Sequence, residues 1–180
     1  MIKVGISGKI ASGKSEVEKI LQKLNFKVFD LDVISHNLFD NKNIKNVILK
    51  EFKTLDRKEI GNIIFNNPDK KEKLENILYP ELKKIILELF EENKNEKYVF
   101  ISGALLFKSG FYKLFDKIIF IDAPESIRLQ RLIKRNNLDE KSALERLNLQ
   151  DDSTLADFII ENNSDINSLK EKISEVLRLI

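Results

Sequence analysis

Eight residues near the N-terminus decide the fold of this chain: Gly8-Lys9-Ile10-Ala11-Ser12-Gly13-Lys14-Ser15. They match the pattern G-x-x-x-x-G-K-[ST], in which backbone N–H groups surround a phosphate and the lysine reaches the β- and γ-phosphates. The serine hydroxyl of such a loop can ligate Mg²⁺. The sequence therefore predicts a nucleoside triphosphate site. Its predicted nucleotide-binding positions are Gly8, Ala11, Ser12, Gly13, Lys14, Ser15 and Glu16.

The loop stands between a strand pattern and a helix pattern, as a phosphate-binding loop requires. Residues 2–7 form an apolar run typical of a buried strand, and the residues from Lys14 onward have apolar positions at helical spacing. The N-terminal dipole of that helix would point at the bound anion. Glu16 lies in its first turn, and we expect the carboxylate to point away from the phosphates.

Short apolar runs alternate with helical patterns along the whole chain. Such runs are typical of parallel strands that are buried on both faces and joined by right-handed crossovers. The sequence therefore predicts an α/β fold. The runs are residues 2–7, 27–31, 98–102, 117–122 and 158–160.

The segment between the second and third runs is mostly helical and too long for a simple crossover. Asn67 and Pro68 are typical of the N-cap and first residue of a helix, whose apolar stripe then continues past Pro80, where we expect a kink. This segment predicts a helical subdomain at the edge of the sheet. It either binds the substrate or only packs against the sheet.

The composition excludes several kinds of site. The chain has no cysteine, one histidine (His36) and a formal net charge of +2. Disulfides, thiolate metal sites and multi-histidine sites are therefore excluded, and a nucleic-acid or anionic-membrane partner is not expected. No signal peptide and no apolar stretch of membrane-spanning length is visible, so we expect a cytoplasmic protein.

Two large classes of phosphate-loop protein do not fit the sequence. A GTPase would carry the base-reading motif N-K-x-D, and Asn41-Lys42-Asn43-Ile44 lacks its aspartate. A motor or transporter ATPase would carry an aspartate at the end of the third strand, which here ends at Ser102-Gly103. A small-molecule kinase is the class that remains.

Asp30 and Asp32 lie at the end of the second predicted strand, where the carboxyl ends of parallel strands line a ligand crevice. If the strand continues that far, alternation places both carboxylates on one face. One of them could accept the proton of an attacking hydroxyl. Alternatively, either one caps a helix over residues 33–39, which Asp32 could do alone.

The arginines are concentrated in one part of a lysine-rich chain. Four of the six arginines fall between residues 128 and 146, and Arg128, Arg131 and Arg135 share one helix face. Such a cluster favours a lid that binds phosphate oxygens through planar guanidinium groups. The alternative is a solvated helix face on which Glu125 pairs with Arg128.

Several segments resemble the dephospho-coenzyme A (dephospho-CoA) kinase family. Residues 4–15 are similar to the family's strand and loop T-G-G-I-G-S-G-K-S, and Phe29-Asp30-Leu31-Asp32-Val33-Ile34-Ser35-His36 resembles its D-A-D-x-x-[AS]-[RH] signature. Residues 57–68 resemble its R-x-x-L-x-x-x-[VI]-F segment. Residues 128–135 and 146–150 resemble its lid, including R-[LIM]-x-x-Q, and residues 156–163 resemble A-D-x-[VI]-I-x-N-x.

The resemblance implies that ATP phosphorylates the ribose 3′-hydroxyl of dephospho-CoA, the last step of coenzyme A biosynthesis, with Mg²⁺ as cofactor. It also implies a P-loop kinase fold with three αβα layers and a five-stranded parallel sheet of order 2-3-1-4-5. The single domain 1–180 would comprise a core (about residues 1–35, 96–125 and 152–180), a helical substrate subdomain (about 36–95) and a lid (about 126–151).

The resemblance also assigns roles by position. Asp32 would be the base, Asp30 a supporting acid, and Asn162 a neighbour of the adenine, with Arg146 behind the lid. Mg²⁺ would bind the hydroxyl of Ser15, with Asp30 as a second candidate ligand. The implied catalytic residues are Asp32, Lys14, Arg131 and Arg135. The implied acceptor-binding residues are Asp30, Asp32, His36, Arg57, Tyr79 and Leu105.

The chain departs from the family pattern at a few positions. Tyr79-Pro80 stands where the family usually has His-Pro, Gly103-Ala104-Leu105-Leu106-Phe107-Lys108 stands for x-P-L-L-F-E, and Lys9 replaces a glycine. Two alternatives therefore remain open: a kinase for another nucleotide or small alcohol, and a non-catalytic nucleotide-binding module. The expected partner is a small-molecule substrate, and a monomer is favoured.

Overall fold

The computed structural model describes residues 1–147 and 155–180 of the chain. These residues form five strands and eight α-helices, with a short 3-10 helix before the fourth strand. The strands are β1 (Ile2–Gly8), β2 (Lys27–Asp30), β3 (Tyr98–Ser102), β4 (Lys117–Asp122) and β5 (Phe158–Glu161). The helices are α1 (Lys14–Lys23), α2 (Leu31–Leu38), α3 (Lys42–Phe52), α4 (Arg57–Asn66), α5 (Pro68–Glu92), α6 (Glu125–Asn136), α7 (Glu140–Leu147) and α8 (Ile166–Leu179).

The strands form one sheet in the order β2-β3-β1-β4-β5. Strand β1 pairs in parallel with β3, where Ile2 lies opposite Tyr98, and with β4, where Val4 lies opposite Lys117. Strand β4 pairs in parallel with β5. The α/β class, the parallel sheet and its order 2-3-1-4-5 are confirmed.

A continuous apolar core lies between the sheet and the two helices α1 and α8. Strand β3 is buried along its whole length, and the side chain of Phe100 at its centre has no exposed surface. Burying a side chain of this size contributes roughly 1.5–3 kcal/mol. The buried members from α1 and α8 are Val17, Ile20, Leu21, Leu169, Ile173 and Val176. These contacts fix α1, and with it the end of the loop, against the sheet.

The chain divides into two compact units. The first comprises Met1–Phe29 and Asn93–Ile180, and the second comprises Asp30–Glu92. The division into a core, a substrate subdomain over 36–95 and a lid over 126–151 stays a prediction, and residues 148–151 of that lid and 152–154 of that core lie outside the described residues.

The second unit is built around the long helix α5. Asn67 Oδ1 accepts a hydrogen bond from the N–H of Lys70 at 3.0 Å, so the predicted cap ahead of Pro68 is confirmed. The helix continues through Pro80 to Glu92. Its buried stripe comprises Leu74, Leu78, Leu82, Ile86 and Phe90.

Helix α3 is tied to α5 by ion pairs. Glu51 Oε1 lies 2.8 Å from Lys70 Nζ and 2.9 Å from Lys73 Nζ. These bonds, first the one from Lys70, lower the pKa of Glu51 from 4.5 to about 2. Among the helices of the described residues, none is both long and apolar enough to cross a membrane.

Candidate active site

The phosphate-binding loop connects the carboxyl end of β1 to the start of α1. Gly13 is the N-cap of α1 with a φ of 104°, and Ala11 also has a positive φ of 60°. Residues in this conformation turn successive N–H groups into a concave anion site. Because glycine has no side chain that could cap the helix, the first N–H groups of α1 remain available to a phosphate.

The two glycines of the motif have different roles. A Cβ at Gly8 would stand 2.6 Å from the carbonyl oxygen of Ile121 and 2.9 Å from Ser12 Oγ, so Gly8 is required for space against β4. Gly13 needs its left-handed conformation, and a Cβ there would also overlap the side-chain amide of Asn162. Of these two glycines, only Gly13 has a positive φ.

The loop lysine has a buried acidic neighbour that the sequence interpretation missed. Lys14 Nζ lies 3.1 Å from Glu18 Oε1, and the two side chains are 14% and 10% exposed. The i, i+4 spacing of Lys14 and Glu18 in a predicted helix could have indicated this pair. Ser15 is exposed, and the Glu16 carboxylate lies 3.5 Å from Lys19 on the outer side of α1, as expected for a group turned away from the loop.

Arg131 and Asn162 hold the loop by its carbonyl groups. Arg131 Nη1 donates to the carbonyl oxygens of Ser12 at 3.1 Å and Ala11 at 3.4 Å, and Nη2 donates to that of Asn162 at 3.2 Å. Asn162 Nδ2 donates to the same Ser12 oxygen at 2.8 Å. The C=O and N–H groups of a trans peptide point in opposite directions. Because Arg131 and Asn162 bind the carbonyl oxygen of Ser12, the N–H of Gly13 in the same peptide points away from these two side chains.

Helices α6 and α7 pack directly on the loop. Their buried residues Leu132, Ala143 and Leu147 contact Ile10 and Ala11. The apolar side of the predicted lid therefore supports the loop from which the phosphates would be held.

The arginine cluster does not behave as one exposed face. Arg128 is buried, and its Nε donates to the carbonyl oxygen of Ala123 at 3.0 Å, so the interpretation as a solvated helix face is wrong for Arg128. Its i+4 neighbour Leu132 is buried as well, which the spacing could have indicated. Arg135 is exposed, and its Nε donates to Asn136 Oδ1 at 2.9 Å. Arg146 is exposed near the end of α7, and Gln150 lies outside the described residues.

Asp30 and Asp32 belong to the second unit and have different local roles. Asp30 is the N-cap of α2, since its Oδ1 accepts hydrogen bonds from the N–H groups of Asp32 at 2.8 Å and Val33 at 3.3 Å. The helix therefore begins at Leu31. The expectation that both aspartates lie on one strand face is wrong. The alternative that one of them caps the helix is confirmed, but the cap is Asp30 and not Asp32. Asp32 lies in the first turn of α2.

The other predicted acceptor residues are spread over both units. His36 in α2 and Arg57 at the start of α4 are exposed, and Tyr79 in α5 is half-buried. Leu105 follows β3 in the first unit and is also half-buried. Their role in binding an acceptor stays a prediction.

The described residues contain no group of three or more histidine, aspartate or glutamate side chains that could hold a metal ion. Mg²⁺ usually takes only one or two protein ligands and completes its shell with substrate phosphates and water. Ser15, the exposed last residue of the loop, fits that pattern.

A protein-family model described as dephospho-CoA kinase matches residues 2–168 of this chain. The chain belongs to the dephospho-CoA kinase family. The dephospho-CoA kinase of Fusobacterium nucleatum is 33% identical over 189 residues, covering 98% of this chain and 97% of that protein. Members of this family are phosphotransferases that use ATP, so the chain is an enzyme of that class.

The chain is also similar to solved structures over nearly its whole length. The structure of a dephospho-CoA kinase from Campylobacter jejuni has a TM-score of 0.72 and 31% identity, covering 98% of this chain and 95% of that one. TT1252 from Thermus thermophilus has a TM-score of 0.83 and 26% identity, covering 99% and 97%. The P-loop kinase fold is therefore confirmed.

One departure from the dephospho-CoA kinase pattern has a visible structural consequence. Lys9, which replaces a glycine, places Nζ 2.9 Å from Asp122 Oδ2 at the carboxyl end of β4. Asp122 Oδ1 in turn accepts from the N–H of Ala123 at 2.7 Å. The first half of the loop is thus tied to β4 by a side chain that the usual glycine could not supply.

Proposed function

We propose that this protein transfers the γ-phosphoryl group of ATP to the ribose 3′-hydroxyl of dephospho-CoA, giving coenzyme A and ADP. The observation that carries the proposal is the family match over residues 2–168, which spans every predicted site residue. The intact loop supports it, because Gly13 has the left-handed conformation and Lys14 is in place after it.

Phosphoryl transfer depends mainly on positioning and on stabilising negative charge. The N–H groups of the loop and the N-terminus of α1 would bind the β- and γ-phosphates, together with Lys14. Mg²⁺ would bind through the hydroxyl of Ser15, with Asp30 as the second candidate, and would neutralise phosphate charge. Arg131 and Arg135 would add positive charge from α6, and Asn162 would lie near the adenine.

Asp32 is the proposed base. Its carboxylate accepts the proton of the 3′-hydroxyl while that oxygen bonds to the γ-phosphorus, and the bond from the γ-phosphorus to the bridging oxygen of ADP breaks. The acceptor would be held by His36, Arg57, Tyr79 and Leu105. Dephospho-CoA as the one small-molecule partner, a monomeric state and a cytoplasmic location are parts of the same proposal.

The test offers Mg-ATP with dephospho-CoA, and separately with a panel of nucleoside monophosphates. We expect ADP release only with dephospho-CoA, a product heavier by one phosphoryl group, and loss of turnover in Lys14→Ala. Turnover with another acceptor and not with dephospho-CoA would overturn the proposal.

The same assay also tests the departures at Ala104 and Lys108, which follow β3. Tight binding of Mg-ATP without turnover on any acceptor would contradict the proposal, so a binding measurement accompanies the assay.

A further inference from the structure

The turn between β5 and α8 supports the phosphate-binding loop. Its residue Asn162 is buried, donates to the Ser12 carbonyl oxygen at 2.8 Å and lies directly against Gly13. The backbone N–H of Asn162 donates to the carbonyl oxygen of Asp122 at 2.7 Å. A displacement of this turn would therefore be transmitted to the peptide that joins Ser12 to Gly13.

One side chain from α8 holds this turn on both sides of Asn162. Lys172 Nζ donates to the carbonyl oxygen of Glu161 at 2.6 Å and to Asn163 Oδ1 at 3.4 Å. Side chains of a helix lean toward its N-terminus, so Lys172, in the second turn of α8, can reach back to the residues before the helix.

The chemistry of these bonds suits a holding role. The ammonium group donates charge-assisted hydrogen bonds, which are about twice as strong as neutral ones. A further support of the turn is the N-cap Asp165, whose Oδ1 accepts from the N–H groups of Asn167 and Ser168 at 2.8 and 3.0 Å. That cap fixes the start of α8, whereas Lys172 fixes the end of β5. Lys172 lies outside residues 2–168 that the family model matches.

We propose that Lys172 is a positioning residue of the nucleotide site. Through Glu161 and Asn163 it holds Asn162 against the Ser12 carbonyl group, and thereby keeps the N–H of Gly13 directed at the phosphates. It makes no contact with substrate in this role. The inference rests on the proposed function only in that the bound nucleotide is Mg-ATP.

The test compares three variants of the full chain. Lys172→Met removes the donor and keeps the length of the side chain, and Lys172→Arg keeps the charge and the donor. Lys170→Met is the matched control, because Lys170 is exposed two residues earlier on the same helix and points to another face. The dissociation constants of Mg-ATP and Mg-ADP are measured by calorimetry. The KM for ATP, the KM for dephospho-CoA and kcat are measured from the rate of ADP release.

For Lys172→Met we expect the dissociation constant and the KM for ATP to rise about five- to tenfold, as for the loss of one or two positioned hydrogen bonds. We expect kcat and the KM for dephospho-CoA to stay within about twofold, because the reacting groups are untouched. Lys172→Arg should restore most of the affinity, and Lys170→Met should match the parent chain. Faster amide hydrogen exchange at Asn162 in Lys172→Met would accompany the loss of affinity.

The inference is overturned if Lys172→Met binds both nucleotides like the parent chain, if Lys170→Met loses the same affinity, or if kcat and both KM values deteriorate together. Since calorimetry needs no acceptor, a shifted dissociation constant in a chain that does not phosphorylate dephospho-CoA would refute the proposed function and leave this inference standing.

Discussion

The ammonium group of Lys14 lies 3.1 Å from the carboxylate of Glu18, one turn further along α1, and both side chains are almost buried. The lysine that would bind the β- and γ-phosphates thus already has an acidic partner within its own helix. A buried ion pair is costly to break from one side, because the remaining charge keeps its desolvation penalty. Binding of ATP brings new negative charge to Lys14 and can compensate for such a loss.

Replacing Glu18 by glutamine should make the stability of the protein depend more strongly on bound nucleotide. We expect Glu18→Gln to cost about 2 kcal/mol of stability without ligand, the size of a hydrogen bond to a charged group. The rise in Tm on adding Mg-ATP should be larger than in the parent chain, since the phosphates replace the negative charge that Lys14 has lost at Glu18. Thermal unfolding with and without Mg-ATP measures both effects. Glu16→Gln is the control, because Glu16 forms an exposed pair with Lys19 that contributes little. An unchanged or smaller nucleotide-induced shift in Glu18→Gln would contradict this account.

Replacing Gly13 by alanine should abolish nucleotide binding with little loss of the fold. An alanine at this position would have to adopt a φ of 104°, and its Cβ would overlap the side-chain amide of Asn162. We expect the dissociation constant of Mg-ATP to rise at least about 100-fold, through strain of 1–3 kcal/mol and displacement of Asn162 from the Ser12 carbonyl group. Calorimetry measures the constant, and circular dichroism checks the fold.

Gly61→Ala is the matched control for that substitution. Gly61 lies within α4, and a Cβ there would meet nothing within 4 Å. Alanine is favoured over glycine in a helix by about 0.5–1 kcal/mol, so this variant should be slightly more stable and bind Mg-ATP normally. Equal binding by the two variants would show that neither the conformation nor the contact with Asn162 matters.

Substitutions at Asp32 and Asp30 separate catalysis from helix capping. We expect Asp32→Asn to lower kcat by a factor of about 10²–10⁴, the range for loss of a general base, with ATP affinity retained. Asp30→Asn keeps the cap, because asparagine is as good an N-cap as aspartate, so any loss of activity there reports on charge and not on folding. Kinetics and calorimetry on both variants measure the difference. Near-normal turnover in Asp32→Asn would remove Asp32 from the role of base.

The sequence predicts the sheet well and the contacts around the loop poorly, for physical reasons. Strands β3 and β4 have the predicted bounds, because continuous apolar runs are what a strand buried on both faces requires. Helix α2 begins at Leu31, two residues before the predicted start, because the capping Asp30 ends β2 one residue before its predicted end. Lys9 and Asp122 are separated by 113 residues in the sequence, and no local sequence pattern predicts a contact between residues so far apart.

The arginines illustrate the same limit on the site. Spacing alone placed Arg128, Arg131 and Arg135 on one face, yet they divide into a buried residue, a residue that holds the loop and an exposed residue. Which carbonyl groups a guanidinium finds depends on how α6 packs against the loop, and this is decided by tertiary structure.

Acid should weaken the tie between α3 and α5, because that tie depends on the charge of Glu51. The bonds from Lys70 and Lys73 lower the pKa of Glu51 to about 2 in the folded chain, below its ordinary value of 4.5. A carboxyl group whose pKa is lower when folded contributes stability above its unfolded pKa, and this contribution is lost as the pH falls through the folded value. The contribution of Glu51 is therefore complete near neutral pH and declines from about pH 4.5 toward pH 2.

The measurement is the Tm of the parent chain and of Glu51→Gln between pH 7 and pH 3. We expect Glu51→Gln to have the lower Tm at pH 7 and the gap to narrow steadily below about pH 4.5, because protonation removes from the parent chain the same charge that the substitution removes. Glu72→Gln, an exposed position on α5, should show little gap at any pH. A gap between parent and Glu51→Gln that stays constant over the whole range would mean that the side chain acts through packing and not through its charge.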